Sequence, residues 1–65
     1  MIKVYELQDN GKVIAQVIQF HDGSAVLKWL TDDDSVVVYR TMGDLLKVHE
    51  KVDRKVVDKI FILYI

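Results

Sequence analysis

His21, Asp22 and Ser24 bring the three residue types of serine-type nucleophilic catalysis within four positions of one another. A working triad needs the hydroxyl, the imidazole and the carboxylate in one chain of hydrogen bonds, and tertiary geometry makes that arrangement. Neighbours in a tight turn point their side chains apart. Asp22-Gly23 between two apolar runs is ordinary turn chemistry, and the turn reading is preferred. Asp32-Asp33-Asp34 could face a hard cation. The run lacks the glycine and the distant glutamate of an EF-hand loop, however, and three adjacent carboxylates converge poorly on one ion. A solvated acidic loop is the simpler identity. His21 and His49 could each ligate a metal, but the chain has no Cys and no spaced pair of further histidines to complete a site. There is no GxGxxG and no Walker loop to cradle a phosphate. Tyr5, Phe20, Trp29, Tyr39 and Phe61 could stack nucleic-acid bases, yet such platforms line basic grooves, and Lys3, Lys12, Lys28 and Arg40 are balanced by nearby acids. Core packing is the preferred role for these rings. No catalytic, cofactor-binding or metal-binding residue is therefore assigned, and no cofactor is expected.

The elements that would hold these residues are short and β-rich. Ile2 to Leu7 reads as a strand, and Asn10-Gly11 after it is the strongest hairpin signal in the chain, because a type I′ turn needs φ > 0 at both central residues. A second strand runs from Lys12 to Phe20, with Val13, Ala15 and Val17 on one face and Ile14, Ile18 and Phe20 on the other. Half-exposed strands alternate apolar with polar, and this one does not, so cover on both faces is expected. Asp22-Gly23 predicts another hairpin turn of the same kind. Ser24 to Leu30 is a third strand carrying Trp29, the largest side chain available for burial and the expected centre of the core. Ser35 to Tyr39 is a fourth.

The pattern changes at Arg40. Thr41-Met42-Gly43-Asp44 has the Ser/Thr-x-x-acid form of a capping box, with the carboxylate placed to meet the helix dipole. Leu45, Val48, His49 and Val52 recur at helical spacing, which predicts one amphipathic helix from about Met42 to about Asp53. His49 falls on its apolar face, where a core or rim histidine is expected. From Val56 to Ile65 the run of Ile and aromatic residues favours a strand over a continued helix. The fold class is thus α+β: one domain over residues 1–65, a mostly antiparallel five-stranded sheet in the order ββββαβ, with one helix packed on one face.

Composition sets the limits on function. A chain of 65 residues with 51% apolar content and no Cys must hold itself together by burial alone. With a net charge of -1 from interleaved acids and bases, a general nucleic-acid surface is disfavoured. The first residues, Met1-Ile-Lys-Val-Tyr-Glu-Leu7, lack the apolar core of a signal peptide, and no run reaches the ~20 apolar residues that span a bilayer. A cytoplasmic protein with no membrane partner is expected.

Phe20-His-Asp-Gly23, Val26-Leu-Lys-Trp-Leu30, Ser35-Val-Val-Val-Tyr39 and Val48-His49 together resemble a group of small uncharacterised proteins of bacteriophages and prophage regions. The resemblance covers roughly the middle half of the chain and departs after His49, where this sequence has Glu50-Lys-Val-Asp-Arg54. It implies a phage origin and transfers no activity. The functional expectation is a non-enzymatic interaction protein, acting in the host cytoplasm if phage-encoded. It would bind itself or a host protein through an apolar sheet face or the helix surface. A small nucleic-acid-associated β protein is the alternative. One helix covers one face of a sheet, so the other apolar face predicts a homodimer, with pairing at a free strand edge as a rival route. The residues expected at the interaction surface are Val13, Ala15 and Val17 on the sheet with Lys47, His49 and Lys51 on the helix.

Overall fold

The structure, a computed structural model, describes residues 2–31 and 35–63, with side chains as far as Lys59. The elements are β1 (Ile2–Asp9), β2 (Lys12–Gln19), β3 (Ala25–Trp29), β4 (Val36–Tyr39), α1 (Met42–His49) and β5 (Arg54–Leu63). The strands form one antiparallel sheet in the order β4-β3-β2-β1-β5. Local sequence lays down β1 to β4 as a meander, each strand beside the last. The chain then crosses the sheet through α1 and returns as β5 on the far edge, beside β1. This is the ββββαβ α+β architecture expected from the pattern.

The first turn is as its residues require. Asn10 and Gly11 both have positive φ, 51° and 81°, as a type I′ turn demands. The Phe20–Ser24 turn differs from the expected repeat of that geometry. Gly23 N–H donates to the Phe20 carbonyl at 3.0 Å, Phe20 N–H donates to the Ser24 carbonyl at 2.9 Å, and only Gly23 has positive φ, at 91°. It is a three-residue loop closed by a left-handed glycine, so Asp22 stays in ordinary backbone space. Its side chain is used instead, accepting from Ser24 N–H at 2.9 Å. The Gly23 carbonyl also accepts from Met42 N–H at 3.0 Å, which ties this hairpin to the start of the helix.

Thr41 caps α1, its hydroxyl oxygen accepting from Asp44 N–H at 3.1 Å. The helix stops at His49, four residues before the expected end near Asp53. Glu50 turns to extended backbone (φ −73°, ψ 120°), and a tight turn through Val52 and Asp53 follows, with Lys51 and Arg54 paired across it. The strand after the helix accordingly begins at Arg54 rather than Val56. Val52, counted on the apolar helix face from its spacing, is 93% exposed in that turn.

The core lies between α1 and one face of the sheet: Leu7, Ala15, Val17, Ala25, Leu27 and Leu45 are fully buried and in mutual contact. Trp29 is not its centre. It is partly buried at the flank, with Tyr5, Ile14, Tyr39, Met42, Leu46 and Val56 also packed around the core. The centre goes to Leu7, Leu27 and Leu45 because the helix crosses the sheet over the middle strands, while Trp29 ends β3.

Candidate interaction surface

Strand pairing decides which residues share a face, since directly opposed residues of neighbouring strands point to the same side. On the helix side, Tyr5, Val17, Leu27 and Val37 are in register, as are Leu7, Ala15 and Trp29. The opposite side carries two rows that each cross all five strands. One is Lys59, Val4, Ile18, Val26 and Val38; the next is Val57, Glu6, Gln16, Lys28 and Val36. No helix covers this outer face among the described residues, though its Ile2 end, two residues before Val4 on β1, is buried. Its apolar row is half-exposed at Val4, Ile18 and Val26, and Val38 and Val36 are 72% and 57% exposed. Lys59 reaches Glu6 at 3.4 Å, and Gln8 Nε2 donates to the same carboxylate at 3.2 Å.

The expected surface residues divide accordingly. Ala15 and Val17 are fully buried beneath α1 and cannot meet a partner; they correct the expectation that their face is the one left open. The cause is that α1 packs Leu45 on that face, and Val13 leaves it through a β-bulge. Between Leu7↔Ala15 and Gln8↔Val13 the second strand carries one extra residue, Ile14, so the alternation slips. Ile14 packs on the core beside Ala15, and Val13, opposite Gln8, turns to the outer side, half-exposed. Lys47 and Lys51 are exposed. His49 is only 6% exposed, so it belongs to the interior. Val4, Ile18, Val26 and Val38, which make the open row, were not singled out by sequence. The polar residues Glu6, Gln16 and Lys28 were the available signal, because polar positions at alternate places mark the solvent side of a strand.

His49 closes the last turn of α1 over the flank of the core. Its Nε2 lies 2.7 Å from the Tyr39 hydroxyl, and its ring meets the edges of Trp29 at 5.5 Å and Tyr39 at 5.7 Å between centroids. Burial pushes its pKa below 6.5, and the nearby positive charges of Arg54 and Lys51 push it the same way. The imidazole is therefore neutral near pH 7 and pairs with a phenol rather than a carboxylate, an arrangement that holds the helix end in place. Tyr5 also points to the helix side, its hydroxyl donating to Gln19 Oε1 at 2.9 Å. With Tyr5, Trp29 and Tyr39 packed around the core, three of the five rings considered for base stacking are withdrawn from an open platform. Phe20 is 41% exposed, and the Phe61 side chain lies outside the described residues.

The His21-Asp22-Ser24 grouping is built as a turn. Ser24 Oγ donates straight to Asp22 at 2.6 Å, alongside the Ser24 N–H, so the carboxylate occupies the hydroxyl that an imidazole would have to hold. These two bonds, the hydroxyl's first, lower the Asp22 pKa below its usual value. Asp32, Asp33 and Asp34 lie outside the described residues. Among the described residues no group of three or more His, Cys, Asp or Glu side chains could hold a metal ion, and no helix is long and apolar enough to cross a membrane.

Known protein families offer a comparison. A family model described as Acb5 phage protein matches residues 9–60, from the end of β1 into β5. No curated protein and no solved structure matches the chain.

Proposed function

This chain belongs to the Acb5 phage protein family, and from that premise we propose that it works by binding a protein through its outer sheet face, not by catalysis. The observation that carries this reading is the row Val4, Ile18, Val26 and Val38, an apolar band across four strands with no helix over it. In a chain this small a contiguous apolar band open to water is a standing liability, and bands of this kind mark contact surfaces. The groups with displaced titration serve local structure instead: Asp22 holds a turn and His49 holds a helix end. The partner is a host protein or a second copy of the chain, met in the host cytoplasm.

The test compares the wild-type protein with a Val26→Asp, Val38→Asp double variant as bait in a bacterial host lysate. Circular dichroism and thermal melting establish that the variant still folds. The reading predicts that self-association and capture of any specific host protein are both lost with the two aspartates. A folded variant that retains every partner of the wild type contradicts it.

A further inference from the structure

We infer that the occupant of the outer face is a second copy of this chain, packed face to face about a two-fold axis that runs along β2. This rests on the proposed binding role of that face and names its partner. The order of charges along one row favours it. From edge to edge the polar row reads Val57, Glu6, Gln16, Lys28, Val36. Gln16 is central, an acid and a base lie one strand to either side, and a valine stands at each end. A two-fold axis lying in the interface along β2 turns the row end for end against its copy. Glu6 then faces Lys28 of the second copy and Lys28 faces Glu6, Gln16 meets Gln16, and Val57 meets Val36. The neighbouring row obeys the same operation. Ile18 faces Ile18 and Val4 faces Val26; at the two rims Lys59 comes opposite Val38, with Glu6 of its own chain 3.4 Å away to keep its charge paired.

Axes along the rows do worse on the same residues. Laid on the polar row, such an axis sets Glu6 against Glu6 and Lys28 against Lys28, like charges in a closing interface. Laid between the rows, it presses Glu6 against Val4 and Lys28 against Val26, charged groups desolvated by apolar ones. Of these, the axis along β2 sets acid against base in the polar row and keeps Val4, Ile18 and Val26 against one another in the next, leaving one charge opposite a valine at each rim. Sheets stacked in this way keep their strands within about 30° of one another at a separation of about 10 Å, the aligned packing of β-sandwiches. The contact is isologous, so it closes at two copies.

Charge reversal tests the pairing and the axis together. Lys28→Glu sets a carboxylate against Glu6 of the other copy, and Glu6→Lys sets an ammonium group against Lys28. Each variant alone should sediment as a monomer of 7.5 kDa at concentrations where the wild type has twice that mass, with the dissociation constant raised at least tenfold. Mixed in equal amounts, the two variants should regain the dimer, because both cross-chain pairs are again of opposite sign. Circular dichroism of each variant guards against loss of fold, and Lys28 is on an exposed strand position. Variants that dimerise as the wild type does, or a mixture that stays monomeric, would overturn the axis. A wild type that remains at 7.5 kDa over a hundredfold range of concentration would overturn the second copy as occupant. If the doubly substituted Val26→Asp, Val38→Asp protein nonetheless loses a host protein, the binding role of the face survives that result.

Discussion

At the scale of single residues, two positions carry conformational or ionic demands that can be measured. Gly11 sits at φ 81° in the β1–β2 turn, next to Asn10 at φ 51°. A β-branched side chain there meets left-handed backbone, a cost of ~1–2 kcal/mol or more, whereas Asp in place of Asn stays within the residues such turns accept. Gly11→Val should therefore lower the urea midpoint well below that of Asn10→Asp, and equal midpoints would mean that the turn is not type I′. His49 makes stability depend on pH. Its folded pKa lies below the ordinary 6.5, so the unfolded chain binds the proton more tightly than the native one. Stability is full above about pH 6.5, falls as the pH drops through that value, and stops falling once the native pKa is passed. Urea melts between about pH 8 and about pH 5 should show this loss for the wild type and a flatter profile for His49→Gln, which keeps a polar partner for Tyr39 and cannot charge.

At the scale of elements, the helix and its cap make separable contributions. Thr41→Ala removes the oxygen that accepts from Asp44 N–H and should cost ~1 kcal/mol, leaving a folded protein. Leu45→Ala removes a fully buried side chain between helix and sheet, and the cost of ~2–5 kcal/mol is comparable to the whole margin of so small a domain. Thermal melts should show a lowered transition for the first and little or no cooperative transition for the second. What the sequence made legible follows the same division. Asn10-Gly11 and Thr41-x-x-Asp44 are local devices whose residues state their geometry, and the structure contains both. The bulge at Ile14 is not local: it arises from the pairing of β2 with β1, and it moves Val13 to one face while keeping Ala15 on the other. The helix end was hidden for a similar reason. Val52 continues the helical period, but the chain must turn at Lys51 to Arg54 to bring β5 alongside β1, and that requirement belongs to the sheet. Once the register is known the open face can be read directly; within β2, apolar on both sides, Gln16 is the residue that marks the outer one.

At the scale of the whole molecule, one helix serves a five-stranded sheet, and among the described residues no helix lies over its outer side. The chain has no Cys, so a single introduced thiol reports on one place only. The most direct measurement is the rate of maleimide labelling of Val26→Cys, on the outer apolar row, against Lys47→Cys, exposed on α1, each at micromolar protein and again at a hundredfold higher concentration. A second copy closing over the outer face predicts that labelling at position 26 slows several-fold at the higher concentration while position 47 is unchanged. Equal rates at position 26 across that range would contradict it.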